Sequence, residues 1–414
     1  TSRALHPFVA LQGNRYMGNG THLKYYVEEG GGYNDITPIR ETTSAGAVTF
    51  SATSGSSTLT ITDTAHGCLI NDFVTFTDAV SLGGTITAVV LNQEYQVSEI
   101  LTADQYQVVA RTVAIVPNIT VDGTYTPTPV VANSSDTGNG GSSTKGAYQV
   151  NTGLDTTVSG TGWGAGTWGR LGWGFGSSLI AFGDTLRIWT HDNFGEDLLI
   201  NVRDGGIFYW DESTATQSAP YSRAVALSDL AGVDDTAPTV AKQVMVSDRD
   251  RHILVFGCDP QDNIGVQDPL LIRFSDQNDP LVWAAQATNT AGDLRIGSGS
   301  EIVTAVETRQ QVLVFTDVSL HAMQFLGPPF TFGINTVSEN ITTASPLCAI
   351  AVNDNVFWMG REEFYVYAGA VNKLPCTVKD YVFSDFNEQQ IQNEIDKINK
   401  NLPKIEKIKK FFII

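Results

Sequence analysis

Between Val48 and Thr64 the chain reads VTFSATSGSSTLTITDT, with apolar residues alternating with Thr and Ser. Alternation of period two puts one set of side chains on one face of an extended strand, so the run predicts two half-buried strands joined at Gly55. DFVTFTDAV (72–80), GGTITAVVL (83–91), EYQVSEI (94–100) and QYQVVA (105–110) continue as short strands divided by Asn, Asp and Gly. Together they predict a compact β-sandwich or barrel over residues 41–131. Before it, residues 15–39 read as strand, turn, strand, turn, strand, with Tyr25 and Tyr26 ahead of a turn at Gly30–Gly32.

Further along, the pattern becomes a repeat. LIAFGDTLRIWTHD precedes DLLINVRDGGIFYWDE, and HILVFGCDP precedes DPLLIRFSDQNDPLVWAA. QVLVFTDVSLHAMQFLGPP and NVFWMGREEFYVYAGAVNKLPC follow. Each unit is an apolar strand, a turn bearing Gly or Asp, and a second strand rich in aromatics. The second strands centre near Tyr209, Phe274, Gln324 and Tyr365, which are 65, 50 and 41 residues apart. Self-similar β-units at such spacings predict propeller blades. With residues 15–39 as a related unit, about five blades are recognisable, a set that leaves closure of the propeller open. Trp189, Trp210, Trp283 and Trp358 fall inside these strands and are expected in blade cores.

The predicted organisation is therefore all-β. Residues 1–40 begin the propeller, 41–131 form the inserted domain, and 177–391 complete the propeller. Residues 132–176 connect them. Of these, Ala132–Gly146 (ANSSDTGNGGSSTKG) reads as a polar, mobile linker. Residues 160–176 read GTGWGAGTWGRLGWGFG, eight glycines with Trp163, Trp168 and Trp173 five residues apart. An odd spacing turns successive indoles to opposite faces of an extended chain, and the glycines oppose helix. Each indole side chain offers about 150–250 Å² for burial. A loop docking onto a neighbouring subunit is the preferred reading, so these three tryptophans are the subunit-contact candidates. An intramolecular clasp and a sugar-stacking platform are the alternatives.

Residues 392–414 break the β-pattern. Ile391, Ile395, Ile398, Leu402 and Ile405 trace a narrow helical stripe interrupted by Pro403. The abrupt change of composition is expected to mark residues foreign to the fold, which sequencing the gene through the junction would test.

Charge sharpens the picture. The net formal charge is −19; the tail holds six Lys against three acids, which leaves −22 for residues 1–391. Such a body repels nucleic acid rather than gripping it. No run of eighteen apolar residues offers a membrane span, and no secretory signal heads the sequence. Cys68, Cys258, Cys348 and Cys376 are isolated and are expected to behave as small buried hydrophobes. The six histidines show no metal spacing, and GxSxG, P-loop and GxGxxG motifs do not occur. His191 and Asp192 are neighbours whose side chains diverge on a strand. Asp259, Asp262, Asn263 and Asp268 lack calcium-loop spacing and read as a solvated turn. Asp248, Arg249, Asp250 and Arg251 read as self-paired surface charge. Propeller glycosidases use paired carboxylates around the central channel, yet no constellation stands out here.

The ordered strings GTHLKYYVEEGGGYNDITPIR, WGAGTWG, DLLINVRDGGIFYWDE, DPLLIRFSDQNDPLVWAA, GSEIVTAVETRQQVLVFTDVSLHAMQFLGPP and VFWMGREEFYVYAGAVNKLPC resemble a known family. It is the tail nozzle, or packaged-DNA stabilisation protein, of short-tailed bacteriophages and related prophages. The resemblance covers about residues 1–390, and its GSEIVTA…TRQ and QFLGPP strings are its more specific parts. It implies a β-propeller with an accessory β-domain, usually a homo-hexamer around the DNA exit channel. It further implies a virion tail protein, assembled in the host cytoplasm, that meets the portal and adaptor above and the tail needle or tip below. Double-stranded DNA would pass through its lumen without sequence-specific binding, between walls lined by acidic side chains. The implied role is structural, with no catalytic residue, cofactor or metal. Family members usually carry further chain before TSRALHPF and further β-structure after YVFSDFNEQQ. The rival expectations are a carbohydrate-binding receptor-recognition propeller and a propeller glycosidase.

Overall fold

The computed structural model describes residues 2–112, 128–153, 187–217, 220–327, 330–377 and 379–384. The chain divides into two compact units, Thr37–Thr152 and the remainder, Thr1–Ile36 with Gly153–Ile414. Trp163, Trp168, Trp173 and the whole tail from residue 392 lie outside the described residues.

The inserted unit is one seven-stranded antiparallel sheet. Its order is Ile39–Thr42, Lys145–Gln149, Phe73–Thr77, Glu94–Thr102, Gln105–Val109, Thr58–Thr62, Thr49–Ala52. The two edge strands are consecutive in the chain. The segment joining them stays bonded to the residues before Lys145–Gln149: Gly46 N donates to Thr144 O (2.9 Å) and Phe50 N to Asn139 O (3.0 Å). The sheet thus curls into a barrel. Alternate residues point inward as the period-two pattern requires: Leu59 and Ile61, Val74 and Phe76, Tyr95 and Val97, Tyr106 and Val108 are all buried in one core.

The boundaries are wider than 41–131, and residues 132–146 are packed against the barrel. Their polarity has a specific use. Asp136, 4% exposed, accepts hydrogen bonds from the backbone N–H groups of Gly84 (2.8 Å), Thr85 (3.1 Å), Ile86 (2.9 Å) and Asn133 (2.8 Å), and from the Thr85 hydroxyl (2.9 Å). Gly140 has φ +92, and a Cβ there would lie 2.4 Å from the Phe50 ring. Glycine and a buried carboxylate let backbone pack closely on backbone, and a composition like that of a linker is the result.

The remaining unit is a five-bladed β-propeller, each blade an antiparallel sheet of consecutive strands. Blade 1 holds Ser2–Val9, Arg15–Thr21, Tyr25–Glu29 and Gly32–Asp35. Blade 2 holds Trp189–Phe194, Asp197–Val202 and Gly205–Trp210, its fourth position shared by Val225–Ala226 and Val240–Ala241. Blade 3 holds Gln243–Val246, Ile253–Phe256, Leu271–Phe274 and Gly292–Arg295. Blade 4 holds Ile302–Glu307, Val312–Thr316, Ser319–Gly327 and Thr331–Glu339. Blade 5 holds Ala349–Val352, Asn355–Met359, Phe364–Tyr367 and Val371–Lys373.

In blades 3 to 5 the two apolar strands of each predicted repeat are the second and third strands; in blade 2 both of these fall within DLLINVRDGGIFYWDE, and the described end of LIAFGDTLRIWTHD belongs to the first strand. Buried on both faces, the second and third strands read as continuous apolar runs such as ILVF and VLVF. Hydrophobic clusters fill the seams between blades 2 and 3, 3 and 4, and 4 and 5. The seam between blades 1 and 2 is aromatic: Tyr25 meets Trp189 edge-on at 5.2 Å, and Tyr16 meets Trp210 at 6.0 Å. Gly20 makes this fit, since a Cβ there would stand 2.5 Å from the Trp189 indole. Trp189, Trp210, Trp283 and Trp358 are all buried, as expected of blade cores.

Candidate functional site

The first strand of each blade is the one through which blades 1 and 2, 2 and 3, and 4 and 5 meet. Such inner strands have a free edge that no ladder completes, so side chains must satisfy it. Between blades 2 and 3, Val244 N donates to Thr190 Oγ1 (3.1 Å) and Val246 N to Asp192 Oδ2 (2.9 Å). Between blades 3 and 4, the Gln243 amide acts as a substitute peptide. Its Nε2 donates to Ala305 O and its Oε1 accepts from Ala305 N, both at 2.8 Å. Between blades 1 and 2, His6 Nε2 lies 3.1 Å from Asn193 Oδ1.

The two ends of these strands differ in charge. At their starts, the buried Lys242 bridges Asp204 of blade 2 (2.9 Å) and Glu301 ahead of blade 4 (2.8 Å). Arg203 donates to Val303 O (2.9 Å), and Arg3 to Arg187 O (3.3 Å). Toward their far ends carboxylates gather: Asp192 stands two residues before the end of blade 2's inner strand, Glu307 closes blade 4's, and Asp248 and Asp250 occupy the turn after blade 3's. Glu307 Oε1 accepts from Asp248 N at 3.2 Å. The Glu307 carboxyl is pushed up to about 7, first by burial and then by the Asp248 charge, with Asp192 and Asp250 adding to it; the Asp248 N–H opposes the rise. Burial likewise raises Asp192, against the Val246 N–H and His6. Both carboxyls therefore bind their protons more tightly than an isolated carboxylate does.

Carboxylates thus stand at both ends of the axis, Asp204 and Glu301 flanking Lys242 at the other. Between them the inner strands of blades 3 to 5 read QVMV, IVTAVE and AIAV. The His191 and Asp192 side chains do diverge: His191 Nδ1 meets the Tyr25 hydroxyl at 2.6 Å, while Asp192 bonds Val246. Residues 248–251 are more than self-paired surface charge. Asp250 is 9% exposed, and the Arg251 guanidinium stands 5.8 Å from the Phe194 ring centre.

Asp259 corrects the solvated-turn expectation. It is fully buried and accepts from Thr239 N and Oγ1 and from Gly265 N, so it ties its loop to blade 2 instead of facing solvent. Asp262 and Asn263 are exposed, and Asp268 pairs with Arg295 at 2.7 Å. Among the described residues no three of His, Cys, Asp and Glu are grouped as metal ligands. Cys68 and Cys258 are buried free thiols, whereas Cys348 and Cys376 are partly exposed. Cavities of about 290 Å³ beside Pro260 and Asp293, and about 460 Å³ beside Lys373 and Pro375, contain none of the axial carboxylates. No described helix is long and apolar enough to cross a membrane.

No protein-family model matches the chain, and no curated protein does. Among solved structures it is similar to the phage phi92 endosialidase, at 10% identity and TM-score 0.26, over 86% of this chain and 52% of that one. It is also similar to the AfRom2 CNH domain, at 14% identity and TM-score 0.29, over 48% of this chain and 59% of that one. The chain thus spans between half and three fifths of the length of each. What the fold establishes for this chain is a five-bladed β-propeller interrupted by a β-barrel.

Proposed function

We propose that this chain is a structural protein of a bacteriophage virion, a tail nozzle whose copies ring the DNA exit channel below the portal and adaptor. The observation that carries the reading is the fit between the resembling strings and the blades. GTHLKYYVEEGGGYNDITPIR ends blade 1 and leads into the barrel, DLLINVRDGGIFYWDE spans the middle of blade 2, and the later strings fall on blades 3, 4 and 5 in order. Each of the five blades thus carries part of a resembling string, whereas WGAGTWG lies outside the described residues.

The propeller axis itself is no path for DNA. Non-adjacent blades meet there, Arg203 of blade 2 donating to Val303 O of blade 4 at 2.9 Å, whereas the DNA major groove alone is about 12 Å wide. DNA would run through the lumen of a ring of copies. A net charge of −22 over residues 1–391 suits a wall that retains and releases DNA without holding phosphates.

One feature favours the rival, a propeller glycosidase: burial, with the Asp192 charge among the lesser causes, pushes the Glu307 carboxyl up to about 7, into the range of a general acid. Both carboxylates, however, are engaged with amides of the adjoining blade. Negative-stain images and a glycan array of the purified protein separate the readings. Closed rings of fixed copy number with no glycan retained support the nozzle. Monomers that capture or cleave a glycan would refute it.

A further inference from the structure

Among the described residues of the propeller, the most exposed aliphatic and phenyl side chains fall on two hairpins. Leu11 (87% exposed) and Val9 (57%) stand at the turn between the first two strands of blade 1. Phe330 (74%) and Leu326 (60%) stand at the turn between the last two strands of blade 4. Each pair lies in a stretch free of carboxylates. Residues 1–27 hold Arg3, Arg15 and Lys24 but no acid, and residues 318–338 hold no Asp, Glu, Lys or Arg. The chain has 44 acids, so two copies repel one another wherever their carboxylates would face. At these two hairpins they can touch without that repulsion.

The blade 4 hairpin is built to hold its tip out. Its strands, Ser319–Gly327 and Thr331–Glu339, have nine residues each, against five in the second strand, Val312–Thr316. The second strand pairs only as far as Met323, so Gln324–Gly327 run on beyond it for about 13 Å. Phe325 and Phe332 fix this overhang by packing on each other (5.4 Å) and on His252, ahead of blade 3's second strand (5.7 and 5.2 Å). Gly333 leaves room for Leu326, since a Cβ there would lie 2.6 Å from Leu326 Cδ1. Leu326 and Phe330 are thus held on a pinned frame, which leaves little to order on binding. The first and third strands of an antiparallel blade run the same way, so the two turns project from the same side of the propeller. Copies that share one orientation in a ring bring the two hairpins level.

We propose that the blade 4 hairpin of one copy docks, through Leu326 and Phe330, onto the blade 1 hairpin of the next copy, around Val9 and Leu11. The contact joins two different surfaces, so it runs head to tail and closes into a ring when the rotation between copies divides a full turn. It rests on the ring of copies in the nozzle reading and names the faces that meet.

Sedimentation velocity of the intact protein, native and in two variants, tests it. Leu326→Lys with Phe330→Lys sets ammonium groups against the basic blade 1 hairpin, and Leu11→Asp puts a carboxylate where the apolar tip would lie. All three side chains are exposed, and an unchanged tryptophan emission checks the fold. The native protein should assemble into rings. Each variant alone should stay monomeric where the native protein is assembled, a weakening of about tenfold or more. An equimolar mixture of the two should stop at a pair, because one variant keeps its blade 1 surface and the other its blade 4 hairpin. Variants that assemble as the native protein does, or a mixture that stays monomeric, overturn the contact, while native rings leave the nozzle reading standing. A native protein that is monomeric throughout overturns both.

Discussion

Asp136→Ala is the sharpest test of how the barrel is built. The native carboxylate collects five hydrogen bonds, four from backbone amides, at a site 4% exposed. Removing it leaves the N–H groups of Gly84, Thr85, Ile86 and Asn133 without an acceptor beneath a packed loop. Buried bonds to a charged group contribute about 1.5–3 kcal/mol each but do not add; with some water admitted, the expected net loss is about 3–5 kcal/mol. At a urea slope of about 1.5 kcal/mol/M this moves the barrel's midpoint by roughly 2–3 M. The chain supplies its own assay. All seven tryptophans lie outside residues 37–152, whereas Tyr95, Tyr106 and Tyr148 are buried in the barrel. Tyrosine near-UV dichroism should report the loss, and tryptophan fluorescence should keep its transition. Burial alone would raise the Asp136 carboxyl, but the bonds from Asn133, Ile86, Thr85 and Gly84 outweigh it and hold it below the ordinary value. Its contribution is therefore present above the unfolded value near 4 and lost as pH falls through the folded one, so native and variant should converge in acid. A midpoint shift corresponding to less than about 1 kcal/mol would show that residues 132–146 are the loose linker their composition suggests.

Three further predictions concern the propeller. Gln243→Ala strands the Ala305 amide in the seam between blades 3 and 4, and tryptophan-monitored urea unfolding should show a loss of about 2–3 kcal/mol; an unchanged midpoint would deny the amide its bridging role. His252 is fully buried among Phe274, Phe325 and Phe332, and burial holds its pKa low. The unfolded chain therefore binds its proton first, and stability present above about pH 6.5 is lost as pH falls toward the folded value. His252→Phe should flatten that part of the pH profile, and an identical slope in both proteins would contradict the assignment. Gly20→Ala sets a Cβ 2.5 Å from the Trp189 indole and should cost about 1–3 kcal/mol, with a shift in tryptophan emission; silence in both measurements would show a looser seam between blades 1 and 2.

How much of this was legible depended on where each strand lies. The middle strands of the blades announced themselves because burial on both faces makes runs such as LIRF and FYVY. Outer strands such as GDLR and VNK are half solvated and too short to show a period, and Ser2–Val9 carries Arg, His and Pro, so neither the fourth strands of blades 2 to 5 nor the opening strand emerged. The barrel was read from alternation, yet its last strand, Lys145–Gln149, was hidden behind a polar stretch whose order comes from Asp136. The axial carboxylates lie 56 and 59 residues apart along the chain, from Asp192 to Asp248 to Glu307, so no local spacing unites them. Only the fold does. The signal available was positional: an acid within two residues of the end of each of three inner strands.

A cryo-EM map of the assembled phage particle tests the central claim most directly. The account predicts a ring of propellers with their barrels beneath the portal and adaptor, enclosing the DNA path outside each propeller's own axis. Finding the chain instead as separate copies on fibres or spikes, away from the DNA exit channel, would contradict it.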